Sequence, residues 1–187
     1  MANHFEFCET DLNGLCIVKR RKLSDDRGYF SRIFCMEEFR GIGFNKQVVQ
    51  INHTVTRRSG SVRGLHYQTS PHCETKIVSC IKGEIFDVAV DIRQGSPTFL
   101  KWHAEVLSAE NQTGLYIPEG FAHGFQALTN DCEILYMHSE SYEPSSEAAL
   151  NVSDPLIGVA WPLLIGELSE RDRAHPFIDN NFTGIKI

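Results

Sequence analysis

The chain has 187 residues, 42% hydrophobic and 22% charged, and 18 Lys+Arg against 24 Asp+Glu leave a formal net charge of −6. A chain of this length fits a single domain, 1–187, that buries about 70% of its unfolded surface, so a core forms without metal or disulfide staples. The negative balance argues against a nucleic-acid backbone or an anionic membrane surface as partner, and any bound anion needs a local cluster of cations.

The opening segment MANHFEFCETDLNG lacks the basic-then-apolar layout of a signal peptide. No apolar run approaches the ~20 residues of a membrane span. The six cysteines, Cys8, Cys16, Cys35, Cys73, Cys80 and Cys132, form no CxxC pair and no zinc-like spacing. Reduced thiols in a cytoplasmic protein are the expectation.

Short β-type runs then follow one another. Residues 15–19 and 29–34 flank the turn-like 24–28, and 37–41 has the makings of one helical turn. Further strands are predicted over 47–53, 62–68, 76–81, 84–92, 100–107, 113–117, 124–128 and 132–138. The 14 Gly and 12 Phe suit short strands and tight turns. Evenly spaced strands of this kind predict a sandwich, jelly roll or closed barrel. Beyond Tyr142 the text is irregular and punctuated by proline, with SERDRAH as one short helix. Such a tail wraps the barrel and is able to deliver a side chain to its mouth.

Side-chain parity suggests what the barrel encloses. In EIFDVAVDIR, Phe86, Val88, Val90 and Ile92 share one face, and Asp87, Ala89, Asp91 and Arg93 the other. In ILYMH, Ile134, Tyr136 and His138 share a face. An interior of His, Lys, Asp and Tyr reads as a ligand cavity rather than a packed core.

Three segments carry candidate chemistry. RGLHYQ at 63–68 offers His66 and Arg63, with Lys76 ten residues beyond the histidine. The P-x-G-x-x-H spacing of IPEGFAHGF at 117–125 matches the second histidine motif of cupin jelly rolls. The first such motif has a His-x-His pair, absent here. His66, His72 and Glu74 stand at the wrong spacings for metal ligands. In SDPLIGVAWP, Asp154 precedes a proline, which by itself reads as a turn cap.

Together these blocks resemble the dTDP-4-dehydrorhamnose 3,5-epimerase family. The resemblance runs from DDRGYFSRIF through QINHT, SVRGLHYQ, GEIFDVAVDIRQGSPTFLKW, LSAENQTGLYIPEGFAHGF and LYMHSESY to DPLIGVAWP and LSERD. It implies an all-β cupin jelly-roll barrel with a short irregular and helical tail. It also implies a homodimer whose N-terminal strand completes the neighbour's site. The implied reaction is cofactor-independent epimerisation of a nucleoside-diphosphate 4-keto-6-deoxyhexose, a step in deoxysugar supply for cell-surface polysaccharide.

By the same resemblance, His66 matches the base, Asp154 the carboxylate that orients it, Lys76 the cation beside the C4 oxyanion, and Tyr136 the opposite-face acid. His123 fits a second imidazole near the substrate. Gln50, Asn52 and Arg63 match sugar and diphosphate contacts, Arg27 matches an arginine from the neighbouring subunit, and Phe30 and Tyr142 are candidates to line the sugar or stack on the base.

Two positions depart from the family pattern. Arg32 stands where an acidic residue is common, and its donors suit the N3 and O2 acceptors of cytosine, which raises a CDP-linked sugar as a second candidate substrate. Met137 replaces a usual basic residue and is followed by His138, a third imidazole on the side of Tyr136. The sequence is also compatible with a mono-epimerase, a 3,4-keto-isomerase, a metal-dependent cupin and a non-catalytic sugar-binding cupin.

Overall fold

The computed structural model describes residues 3–187. Its 13 strands are β1 (Phe5–Glu9), β2 (Cys16–Arg20), β3 (Lys22–Asp25), β4 (Gly28–Ser31), β5 (Gln50–Thr56), β6 (Val62–Gln68), β7 (Lys76–Lys82), β8 (Glu84–Asp91), β9 (Trp102–Ser108), β10 (Thr113–Ile117), β11 (Phe121–Ala127), β12 (Cys132–His138) and β13 (Glu147–Ala149). Two short α-helices, α1 (Met36–Phe39) and α2 (Glu170–Ala174), and one 3-10 turn at Arg40–Ile42 complete the regular structure of the described residues. Six strands form one sheet in the order β1-β2-β10-β7-β12-β5, and five form a second in the order β13-β6-β11-β8-β9. All pairings within these sheets are antiparallel. The architecture is the expected all-β jelly roll of cupin type.

Strand alternation divides the buried side chains into three groups. Ile85 and Ala89 of β8 meet Val78, Leu115, Phe125 and Ile134 between the sheets. From the same β8, Phe86, Val88 and Val90, with Ile92 just beyond its end, face outward and are covered by tail residues Leu150, Val152 and Ile157. On the outer side of the six-stranded sheet, Phe5, Val18, Ile77, Tyr116 and Met137 pack around Phe39 of α1. The barrel interior is therefore half apolar core and half cavity, where sequence parity suggested cavity throughout. Along β7 the inward side chains pass from Lys76 to Val78 and Cys80; along β12 they pass from His138 and Tyr136 to Ile134 and Cys132. Each strand changes character halfway, which a single parity assignment does not reveal.

The tail is tied down by backbone bonds: Leu65 and Leu150 exchange two, at 2.9 and 3.2 Å, and Val62 N–H donates to the Glu167 carbonyl at 2.9 Å. These bonds deliver α2 to the mouth of the barrel. Strands β6, β10 and β12 coincide with their predicted limits, whereas β1, β3 and β13 escaped sequence reading. β3 is a four-residue, largely solvent-facing strand, and β13 has only three residues, so neither carries a period-2 apolar signal. β4 stops at Ser31, short of the run expected to Phe34, because residues 32–35 cross over to α1.

Candidate active site

One cavity of about 410 Å³ opens at the polar end of the barrel, lined by Asn52, Thr54, Arg63, His66, Lys76, His123, Gly124, Phe125, Tyr136, His138, Ser169, Arg171 and Asp172. The two central histidines are cross-strand partners, His66 on β6 and His123 on β11. Their strands approach unusually closely. Gly64 has φ +135°, and a Cβ there would lie 2.5 Å from Gly124 Cα; a Cβ on Gly124 would lie 2.6 Å from the Arg63 carbonyl oxygen. Glycine at both positions permits this approach, and the register shifts between His123 and Phe125.

Each histidine has its own carboxylate. His66 Nε2 lies 2.7 Å from Asp172 Oδ1, with side chains 27% and 4% exposed. Burial alone would raise the Asp172 carboxyl, but the His66 hydrogen bond and charge outweigh it and hold the group below its ordinary value. An ionised carboxylate only accepts, so it fixes one imidazole tautomer and leaves the other ring nitrogen basic. His123 Nε2 lies 2.8 Å from Asp87 Oδ1, both deeply buried, and Asp87 Oδ2 has no hydrogen-bond partner. Here burial dominates and pushes the Asp87 carboxyl up.

The six-stranded sheet supplies the facing groups. Lys76 Nζ lies 3.0 Å from Glu74 Oε1 and donates to the His66 carbonyl at 3.3 Å. Burial opposes ionisation of Glu74, but Lys76 and His138 override it and draw its pKa down to about 2. Tyr136 stacks edge-on against His123, with ring centroids 5.9 Å apart. Burial first, and then the Asp87 charge, push the Tyr136 phenol well above its ordinary value, so it stays a neutral proton donor.

Asp154 is not part of this cavity. It is buried in the tail, where Oδ1 accepts the Leu156 N–H at 2.8 Å and Oδ2 the Ile178 N–H at 2.5 Å. The turn-cap reading of Asp154 is the one the structure follows, and the carboxylate on His66 comes instead from Asp172 in LSERD. Ser169 caps α2 by accepting the Asp172 N–H at 3.0 Å, which fixes the aspartate at the first turn. The sequence signal was present, since a short helix and a tail-delivered side chain were both expected. With two tail aspartates available, spacing alone did not choose between them.

His66, Lys76, Tyr136, His123, Asn52 and Arg63 do converge on the cavity. Gln50 and Tyr142 lie at its rim: Gln50 Nε2 donates to Asn52 Oδ1 at 3.2 Å, and Gln50 Oε1 accepts the Tyr142 N–H at 3.1 Å. The Tyr142 hydroxyl donates to Glu147, which pairs with Arg171 at 3.0 Å. Arg171, unnoticed in the sequence, thus stands beside Arg63 as a second guanidinium on the cavity wall. Arg27 and Phe30 are not brought to this cavity. They lie on the β3–β4 hairpin, which lines a separate shallow pocket. Arg27 pairs with Asp25 at 2.5 Å, Phe30 is 57% exposed, and Arg32, just beyond β4, turns to Glu38 at 3.4 Å. β1 is fully paired with β2 of its own chain. The β3–β4 hairpin pairs with neither large sheet and leaves Tyr29 and Phe30 exposed.

His66, His72 and Glu74 do not converge as metal ligands. His72 turns to Glu140 at 3.6 Å and Glu74 to Lys76 and His138. Among the described residues no group of three His, Cys, Asp or Glu side chains has metal-holding geometry.

A cupin-type jelly roll whose two sheets enclose paired histidine–carboxylate groups, a lysine and a phenol is built for moving protons on a small polar ligand. Residues 9–180 match the family model of dTDP-4-dehydrorhamnose 3,5-epimerase. The chain belongs to that family and is an isomerase. It is 40% identical over 176 residues to the dTDP-4-dehydrorhamnose 3,5-epimerase of Shigella flexneri, covering 93% of this chain and 97% of the relative. Among solved structures it resembles the dTDP-6-deoxy-D-glucose-3,5-epimerase of Legionella pneumophila in complex with dTDP-4-keto-L-rhamnose. That match has a TM-score of 0.91 at 36% identity and covers 98% of this chain and 100% of the other. It also resembles a 3'-monoepimerase of Streptomyces bikiniensis in complex with dTDP-quinovose. There the TM-score is 0.84 at 35% identity, over 90% of this chain and 85% of the other.

Proposed function

We propose that the cavity epimerises C3 and C5 of a dTDP-linked 4-keto-6-deoxyhexose, with His66 as the base and Tyr136 as the acid on the opposite face. Both hydrogens lie α to the C4 carbonyl, so each is removable if the resulting enolate is stabilised. The basic nitrogen of His66 takes the proton, and Asp172 stabilises the imidazolium that forms. Lys76 neutralises the developing C4 oxyanion as a fixed charge in a partly dry cavity. Tyr136, kept protonated by its surroundings, returns a proton from the six-stranded sheet, opposite the sheet that carries His66. Asp87 holds the His123 ring in place beside Tyr136.

Arg63 and Arg171 grip the diphosphate, which reconciles an anionic substrate with the net charge of −6. Gln50, Asn52 and Tyr142 guide the substrate at the rim. In a homodimer, the β3–β4 hairpin brings Arg27 and Phe30 to the neighbour's cavity, and the exposed Leu23, Tyr29 and Phe30 give that hairpin a surface to bury. The base is thymine in this reading: Arg32 is engaged by Glu38, and the relatives named above carry dTDP sugars. The six free thiols suit a reducing, cytoplasmic setting.

The observation that carries this reading is the His66–Asp172 pair facing Tyr136 across one cavity, with Lys76 beside it. Incubation with dTDP-4-keto-6-deoxyglucose in D2O tests it. Deuterium at both C3 and C5 is expected; label at one carbon alone makes the enzyme a mono-epimerase, and no label refutes the reading.

A further inference from the structure

The third imidazole of the cavity, His138, has no part in the proton transfers above, yet it is tied to the group that stabilises the enolate. His138 on β12 is the cross-strand partner of Lys76 on β7. Both reach the same carboxylate: Glu74 Oε1 lies 3.0 Å from Lys76 Nζ, and Glu74 Oε2 lies 2.6 Å from His138 Nδ1. All three side chains are about nine-tenths buried. Lys76 and His138 line the cavity, whereas Glu74 stands behind its wall.

The hydrogen-bond roles follow from the chemistry of the groups. The Glu74 carboxylate only accepts, so Nδ1 of His138 donates to it. Nε2 then accepts from the Asn52 amide, which lies 3.3 Å away on β5. The chain Asn52–His138–Glu74–Lys76 thus joins three adjacent strands of one sheet and the loop preceding β7, and it ends on the ammonium.

We propose that His138 is a positioning residue for Lys76, acting through Glu74. A lysine has four rotatable bonds and a compact charge, and besides Glu74 at 3.0 Å its ammonium has the neutral His66 carbonyl at the longer distance of 3.3 Å. Glu74 lies on the loop preceding β7, and its two oxygens divide between Lys76 and His138. His138 holds the far oxygen of Glu74, and the near oxygen then holds Lys76 at one place on the cavity wall. Since the lysine acts on charge that develops at C4, the tether raises turnover more than it raises substrate affinity. This inference rests on the role given above to Lys76.

The test is a double-mutant cycle between His138 and Lys76, read as kcat and KM separately. His138→Phe removes the donor at similar size and lowers kcat by about tenfold or more, as expected for a misplaced catalytic group, with KM within about twofold. His138→Asn keeps an N–H near the Nδ1 position and restores kcat to within about threefold of the parent. In the Lys76→Met background, His138→Phe causes no further loss. Equal losses from His138→Phe with and without Lys76, or an effect on KM alone, overturn the inference. Normal turnover by Lys76→Met overturns the site reading on which it rests. Should His138→Phe melt early, Glu74→Ala cuts the same tether from its other end and is held to the same criteria.

Discussion

The two histidine–aspartate pairs of the cavity are chemically alike and electrostatically opposite. His66 reaches Asp172, a residue of the wrapping tail, at a partly open position where the hydrogen bond outweighs burial and the carboxylate is held ionised. His123 reaches Asp87, sealed between β8 and β11, where burial outweighs pairing and the carboxyl is pushed up. An identical pair of side chains thus holds its carboxyl below the ordinary value in one place and above it in the other. Depth in the barrel decides which.

The sharpest break in that comparison is expected in turnover. His66→Asn should lower kcat by the ~10²–10⁴-fold typical of a lost general base, with the protein still folded by thermal melting. A loss below about tenfold would remove His66 from the mechanism.

The next effect is one of sign in stability. The Asp172 carboxyl is lowered on folding, so its ionised form stabilises the fold at neutral pH; the Asp87 carboxyl is raised, so its ionised form works against the fold. Asp172→Asn is expected to lower Tm at pH 7 by a few degrees, about 1 kcal/mol in a protein of this size. Asp87→Asn keeps an oxygen acceptor for His123 and should leave Tm unchanged or higher. Two equal decreases in Tm would erase the contrast between the pairs.

The smallest effect concerns acid. Glu74 falls from an ordinary 4.5 to about 2 on folding, so its contribution is fully present above about 4.5 and is lost as pH drops towards 2. Asp91, also drawn down to about 2 with Arg93, Ser96 and Thr98 as partners, loses its contribution over a similar acid range. Glu74→Gln should therefore flatten the fall in Tm between pH 4.5 and pH 2 without abolishing it, as a melting series across that range will show.

Much of this architecture is legible in the residues. The runs 62–68, 113–117 and 132–138 carry enough β-branched, aromatic and alternating positions to mark whole strands. The inward lysine, phenol and histidines follow from parity once those strands are in register. Asp172 did not follow, because the pairing of a tail residue with His66 spans 106 positions and depends on how the irregular tail is laid over β6. Asp154 shows the converse. A local signal, aspartate before proline, correctly marks a cap, and the cap uses both carboxylate oxygens. Arg171 and the Glu74 tether are likewise products of tertiary contact, invisible to any local period.

The choice of carboxylate is the point at which the structure departs most from the sequence pattern. Deuterium incorporation into dTDP-4-keto-6-deoxyglucose in D2O, measured per folded molecule for Asp172→Asn and Asp154→Asn side by side, tests it directly. Asp172→Asn should slow exchange at C3 and C5 by about 10²-fold, while Asp154→Asn exchanges at near the parental rate and shows only a lower Tm. Normal incorporation by Asp172→Asn, with incorporation abolished in a folded Asp154→Asn, would contradict the assignment of the His66–Asp172 pair as the base.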